Sequence, residues 1–291
     1  MRDGRLDATQ ACTMTEEYDH LGRFDGACTF GQVGMQWALE LALPIAKERG
    51  SYAMAGADLG HIGRLAYTAQ KSIGEDVMFV GMATTNGGRA AIEMDGIESL
   101  LGTNPVCIAV PGGCEPIVFD MATTEQPEGA VNVMLQQELL APLGILRERD
   151  GRWTIDPRRL YKEPTAMLTA AGKHKGLGMG VMADASVAAL VGKSHLGTDG
   201  RKTHPHGVNN VWFMLTKIPG DAHEQILRSM ADRSANAKVQ PGSSRRGLLP
   251  GVRGYREEMK ARAGNVLIPT KIWNHVVEVH KTGKLPEEIK T

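Results

Sequence analysis

From Phe30 onward, apolar residues return at helical spacing. Met35, Ala38, Leu39, Ala42, Leu43 and Ala46 lie three and four apart, which gathers them on one face of a helix. The pattern predicts a helix over 30–48, ended by Gly50 and kinked or divided at Pro44. A second periodic run, Leu65, Ala66, Ala69 and Ile73, predicts another helix just after a glycine-bracketed His61. Between them, residues 51–57 read as a short strand. Residues 77–83 form a buried apolar strand, broken by Asn86-Gly87-Gly88.

Two further short apolar runs follow. Leu101-Gly102-Thr103-Asn104-Pro105 leads into one, and Ile117, Val118 and Phe119 make the other, closed by Asp120-Met121-Ala122-Thr123-Thr124. Each run delivers polar side chains to a strand end. An Asp closing an apolar run is costly unless its charge is paired or used, and a strand end holds a carboxylate rigidly beside a ligand.

Beyond that point the pattern predicts a helix over 130–140 and turns at Asp150-Gly151 and Asp156-Pro157. A glycine-dense loop over 172–180 leads into a helix through Met182, Val187, Leu190 and Val191. A polar loop over 197–207, a strand over 211–218 and an amphipathic helix over 222–235 come next. A basic, Gly-rich loop over 242–254 and a last helix over 270–280 complete the pattern. Residues 1–30 read as irregular. Strands and helices mix without regular βαβ spacing, which favours an α+β fold over a doubly wound sheet. The expected division is a cofactor-binding part over 31–219, with 1–30 and the helices of 220–291 forming a smaller substrate part.

The chain has 291 residues, of which 42% are hydrophobic, enough for one large domain or two modest ones with a core. Lys+Arg and Asp+Glu both number 33, so no global basic field draws nucleic acid or membrane. The near-zero net charge also protects weakly against self-association. No apolar stretch reaches the roughly 18 residues of a membrane span, and the N-terminus carries no signal-peptide core. Four cysteines, Cys12, Cys28, Cys107 and Cys114, form no C-x-x-C pair and read as reduced thiols. The expectation is a cytoplasmic protein without a bound metal.

His61 is a candidate proton carrier, since imidazole is the side chain that titrates near neutrality; it could equally cap local backbone. Arg64, one turn on, could bind a carboxylate or stand solvated on its helix. Asp120 could orient a histidine, accept from a substrate hydroxyl or satisfy nearby amides. Thr123 and Thr124 could meet a phosphate or an amide, or cap the next helix. Lys175-Gly176 lies in a Gly-rich segment before a helix and suits an anion. Gly178-x-Gly180-x-x-Ala183, with Asp199 beyond, formally matches the dinucleotide fingerprint. No strand precedes it, so it is not read as a Rossmann turn. Arg245 and Arg246 could grip a cofactor phosphate or remain a solvated loop. His204 and His206 lack a third metal ligand and read as loop.

Taken in order, these segments resemble the malate/L-lactate dehydrogenase type 2 family, which includes sulfolactate and ureidoglycolate dehydrogenases. The matching pieces are Phe30-Gly31-Gln32, Gly60-His61-Ile62-Gly63-Arg64-Leu65, Thr85-Asn86, Leu101 to Pro105, Asp120 to Thr124 with Gly129, Asp150-Gly151, Asp156-Pro157, Gly172 to Gly178 and Pro250-Gly251. The resemblance implies NAD- or NADP-dependent interconversion of a 2-hydroxy acid and a 2-oxo acid, on a non-Rossmann fold with a mixed or antiparallel sheet and flanking helices, in a homodimer. It implies His61 as the active-site histidine, with Asp120 beside it. Thr85, Asp120, Met121, Ala122, Thr124, Lys175, Gly176, Pro250 and Gly251 fall at cofactor contacts, and Arg64 and Thr103 at substrate contacts. The family's N-terminal Ser-His-Gly motif occurs nowhere in the chain. Ala130 stands where Lys is usual, Val252 where Glu is usual, and Met94-Asp95-Gly96 replaces the usual Phe-Gly-Gly approach to Leu101. These departures keep an alternative open: a truncated or divergent member that binds nucleotide or a homologous partner without catalysing.

Overall fold

The computed structural model describes residues 6–85, 90–91, 98–112, 115–161, 166–194, 208–242 and 247–282. The Asn86-Gly87-Gly88 break, Met94 to Gly96, Cys114, Asp199, His204, His206 and the Arg245-Arg246 pair lie outside them.

A seven-stranded mixed sheet organises the chain. Its strands are β1 (Thr13–Glu17), β2 (Leu21–Asp25), β3 (Ser51–Leu59), β4 (Val77–Thr85), β7 (Val106–Val110), β8 (Ile117–Met121) and β12 (Asn209–Lys217). They lie side by side in the order β1-β2-β3-β12-β4-β7-β8. Only β2 and β3 pair in parallel; the other five pairings are antiparallel. A smaller sheet joins β5 (Ala90–Ala91), β6 (Ser99–Leu101), β9 (Leu146–Arg147), β10 (Trp153–Thr154) and β11 (Met167–Leu168) in the order β10-β9-β11-β5-β6. Residues 13–25, expected to be irregular, form a hairpin on the edge of the large sheet. The alternation there is weak because β1 is mostly exposed, so period-two patterning has little to display.

Helices α1 (Gly31–Arg49) and α2 (Leu65–Ile73) cover one face of the large sheet. They pack on Val77, Phe79 and Ala83 of β4, Cys107 and Ala109 of β7, and Val211, Phe213 and Leu215 of β12. Phe79 and Phe213 stack at 5.5 Å between ring centroids, which adds about 0.5–1.5 kcal/mol beyond their area burial. α1 is continuous through Pro44. Pro44 is on the solvent side, where water can take the Glu40 carbonyl left without its helical partner.

Alternate residues of β4 and β12 point the other way. There α4 (His174–Val191) packs, with Ser186 between Met82 and the Trp212 indole. Residues 172–180, expected as a loop, largely belong to this helix. Gly176, Gly180, Ala183 and Val187 form its buried stripe. A Cβ on Gly176 would lie 2.4 Å from the Thr123 carbonyl oxygen. The glycines set close helix packing here, against their low helix propensity. Met214, Val80 and Ile108 line up across three strands, with Met214 and Ile108 both 38% exposed.

A second core gathers Leu101, Val131, Ala141, Ile145, Leu146, Leu160 and Leu168 around the small sheet and α3 (Glu128–Gln136), which starts earlier and stops sooner than the pattern predicts. Three more helices follow: α5 (Ala222–Ala235), α6 (Val252–Ala263) and α7 (Thr270–Thr282). The loop expected over 242–254 takes in only the first turn of α6, and residues 255–263 carry no expected element. α6 buries only Val252 and relies on ion pairs such as Arg262–Glu258 and Arg256–Glu115, so no apolar stripe marks it. Among the described residues no helix is long and apolar enough to cross a membrane.

Candidate active site

The two cores meet at a cleft of about 760 Å³. Its lining brings together eight of the residues singled out from the sequence: His61, Arg64, Thr85, Thr103, Asp120, Met121, Ala122 and Gly251. Thr124, Lys175, Gly176 and Pro250 are not in that lining. Among the described residues no three His, Cys, Asp or Glu side chains cluster as metal ligands would.

His61 lies in the loop between β3 and α2, exposed to the cleft. Two buried asparagines of β12 hold this loop. Asn209 Nδ2 donates to the Gly60 carbonyl at 3.3 Å, and Thr85 Oγ1 donates to Asn209 Oδ1 at 3.0 Å. The Asp58 amide donates to Asn210 Oδ1 at 3.0 Å. α1 also presses on the loop: a Cβ on Gly31 would lie 2.1 Å from the Gly60 carbonyl oxygen. Sequence reasoning missed both asparagines. Their only signal is an Asn pair opening an apolar strand, where an unpaired amide would be costly.

Asp120 closes β8 and is paired in register with Cys107 of β7. Its Oδ2 accepts the Ala66 backbone N–H at 2.8 Å. Ala66 is the second residue of α2, and Arg64 at the helix N-cap offers no side-chain cap. Asp120 therefore caps α2 from a distant strand. It does not pair with His61, whose ring makes no hydrogen bond among the described residues, so the expected orienting role is not formed. Burial raises the Asp120 carboxyl above its ordinary value, opposed by the Ala66 hydrogen bond and the Arg64 charge. The Cys107 thiol, buried and facing Asp120, is pushed far up.

Thr103 lines the cleft and its carbonyl accepts both the Thr123 amide, at 2.9 Å, and Thr123 Oγ1, at 3.1 Å. Asn104 carries a φ of 31° and anchors the same loop to α4 through Nδ2 to the Gly180 carbonyl, 3.0 Å. Thr124 is buried, bridges Ala170 and donates to the Gln126 carbonyl. Gly176 packs α4 against Thr123, and Lys175 stands exposed at the start of α4. The Pro250 carbonyl accepts the Val118 amide at 3.0 Å and closes the free edge of β8. Gly251, at φ 89°, fits where a Cβ would meet Val118 backbone at 2.8 Å.

Three helices begin at this cleft. Leu65 and Ala66 of α2, Glu128 and Gly129 of α3, and Arg253 and Gly254 of α6 all line it. None of the three has a side-chain cap from its own N-cap residue. Among the described residues, the amides of Gly129, Arg253 and Gly254 take no acceptor. The amides at the starts of α3 and α6, with the Arg64 and Arg253 guanidiniums, give the cleft a donor-rich rim suited to anions, beside the carboxylates of Asp120 and Glu128. Only the α2 terminus was marked in the sequence reading of this region; the α3 and α6 starts were not. A phosphate-bearing nicotinamide dinucleotide and a small carboxylate both fit that donor set.

The sequence matches a family profile described as malate/L-lactate dehydrogenase over residues 1–277. L-sulfolactate dehydrogenase of Methanocaldococcus jannaschii is 26% identical over 266 residues, which cover 88% of this chain and 73% of the relative. Ureidoglycolate dehydrogenase (NAD(+)) of Escherichia coli K12 is 30% identical over 189 residues, covering 65% of this chain and 50% of the relative. The crystal structure of a dehydrogenase from Sinorhizobium meliloti superposes with a TM-score of 0.81 at 26% identity, covering 96% of this chain and 81% of that one.

Proposed function

The chain belongs to the malate/L-lactate dehydrogenase family, and from that premise we propose that the cleft binds a nicotinamide cofactor and a 2-hydroxy or 2-oxo acid side by side, with His61 handling the proton. The chain is an oxidoreductase of 2-hydroxy acids that uses a nicotinamide cofactor. The reading of a non-catalysing member is not favoured by these relatives.

The observation that carries the site assignment is the meeting of two uncapped helix N-termini, those of α3 and α6, with His61, Arg64 and Arg253 in one cleft. Both expected ligands are anions, and this is the donor-rich cleft that their charges require. Arg64 binds the substrate carboxylate. His61 gives a proton to the carbonyl oxygen during reduction and takes it back from the hydroxyl during oxidation. The bound nicotinamide supplies or accepts the hydride. Thr85, Thr103, Met121, Ala122 and Gly251 form the wall against which the cofactor lies. Asp120 holds the N-terminus of α2, and with it Arg64, in place. Thr124, Gly176 and Pro250 brace that wall, and Lys175 adds charge at the start of α4. Residues 31–219 supply most of the cofactor side, and α6 reaches in from the C-terminal helices.

The row of Met214, Val80 and Ile108, partly exposed in the single chain, supports a homodimer as apolar surface that a second copy could cover. The relative named with NAD(+) supports NAD, and Arg245-Arg246 would support NADP; the assay includes both.

The test is oxidation of NADH or NADPH by the purified chain, followed by reduced-nicotinamide absorbance, with pyruvate, oxaloacetate and 2-oxoglutarate as acceptors. Turnover that collapses in a His61→Ala variant supports the assignment. Equal turnover by the variant removes His61 from the chemistry.

A further inference from the structure

We propose that Gln70 is the residue that aims Arg64 at the substrate carboxylate, and that α6 fixes Gln70 in turn through Glu258. The proposal rests on the reading of Arg64 as carboxylate-binding. Arg64 Nη2 donates to Gln70 Oε1 at 3.1 Å. Gln70 Nε2 donates to Glu258 Oε2 at 3.3 Å. Glu258 Oε1 in turn accepts from Arg262 Nε, 3.1 Å, and Nη2, 2.8 Å.

The chemistry of this chain of contacts leaves one orientation for the amide. A guanidinium only donates and a carboxylate only accepts. Gln70 must therefore turn its oxygen to Arg64 and its nitrogen to Glu258. An uncharged amide can bridge a cation and an anion without neutralising either. A glutamate at this position would pair with Arg64, compete with the substrate carboxylate and oppose Glu258.

Gln70 lies at a wall shared by two cavities. It lines the cleft with His61 and Arg64, and it also lines a second cavity of about 470 Å³ with Tyr67, Glu258 and Arg262. The relay thus runs from the middle of α6, through the wall, to the rim where Arg64 is exposed. A long exposed arginine would otherwise lose rotamer freedom each time it closed on substrate. Holding it beforehand lowers the Michaelis constant for the acid without touching hydride transfer.

The experiment is a double-mutant cycle read by steady-state kinetics on the full chain, varying the 2-oxo acid at saturating reduced cofactor. Gln70→Met keeps size and helix preference and removes both polar ends. It is expected to raise KM for the acid about 2- to 12-fold, the ordering penalty of one long side chain, leaving kcat and the cofactor KM within about a factor of two. In an Arg64→Ala background the same change is expected to add nothing, because its effect runs through Arg64. Glu258→Ala, on the face of α6 turned to the second cavity, is a second variant that changes no residue of α2. It should raise the same KM in the parent and not in Arg64→Ala. If either change multiplies through in the Arg64→Ala background, or acts on the cofactor KM instead, the positioning role is wrong while the functional reading stands. If the parent turns over no 2-oxo acid, the functional reading fails and takes the proposal with it.

Discussion

The Asp120 carboxylate and the Ala66 amide, joined at 2.8 Å, tie the end of β8 to the start of α2. That hydrogen bond adds to the packing of α2 on β4, β7 and β8 in setting how the helix bearing Arg64 and Gln70 meets the sheet. Replacing Asp120 with Ala leaves that amide uncapped and should cost about 0.5–2 kcal/mol. Asp120→Asn keeps an acceptor and should cost far less; urea unfolding of the two variants separates these outcomes.

The same residue predicts a pH dependence. Burial raises the native Asp120 carboxyl above 3.8, the ordinary value it regains on unfolding. Between that value and the native one, the folded protein holds the proton and the unfolded chain has released it. Stability therefore falls as pH rises through that window, and the penalty persists above it. Asp120→Asn removes the titration. Its melting temperature relative to the parent should improve from pH 3 to pH 7, and an offset that does not move with pH would refute the assignment.

His61→Ala should lower kcat by a factor of about 10²–10⁴, the range for loss of a positioned proton donor. The KM for reduced cofactor should hold. Restoration of part of the rate by added imidazole would locate the loss in proton transfer. A drop in cofactor affinity of the same size would place His61 in binding instead.

Arg64→Ala should raise KM for the 2-oxo acid by roughly 10- to 150-fold, the value of a hydrogen bond to a charged group. Arg64→Lys keeps the charge but loses the planar fork and should recover little. An unchanged KM in both would assign the carboxylate to another donor, Arg253 being the next along the rim.

Gly31→Ala tests the packing beneath the loop that carries His61. Its Cβ would enter the space of the Gly60 carbonyl and of the His61 backbone carbonyl group, at 2.1 to 2.8 Å. Backbone cannot step aside as a side chain tip can, so overpacking should cost about 1–3 kcal/mol. Because the displaced atoms carry His61, kcat should fall more than stability alone explains. Thermal melts and kinetics on one preparation decide it.

Much of this site was legible in the chain. The stripe Met35, Ala38, Leu39, Ala42 and Ala46 is buried as its spacing requires, and His61, Arg64, Thr103 and Asp120 do converge. What escaped had physical reasons. Gly176 and Gly180 read as loop because glycine disfavours helices, and only three-dimensional contact with Thr123 reveals why α4 needs them. α6 has almost no buried face to display. The Asp120–Ala66 bond links residues 54 positions apart, and no local pattern encodes a cap supplied from so far away. Gln70 carried no signal in the sequence, because its partner Glu258 lies 188 positions away.

β12 pairs along its length with β3 on one side and β4 on the other. Those two strands lie within the first 85 residues, and β12 is synthesised only from Asn209 onward. Until it emerges from the ribosome, β3 and β4 each expose a bare edge, and the loop bearing His61 lacks Asn209 to hold it. Such distant pairing slows folding and prolongs exposure of unpaired strands. The nascent chain thus carries an open slot at the middle of its sheet, and the loop bearing His61 gains its hold only once β12 has been made.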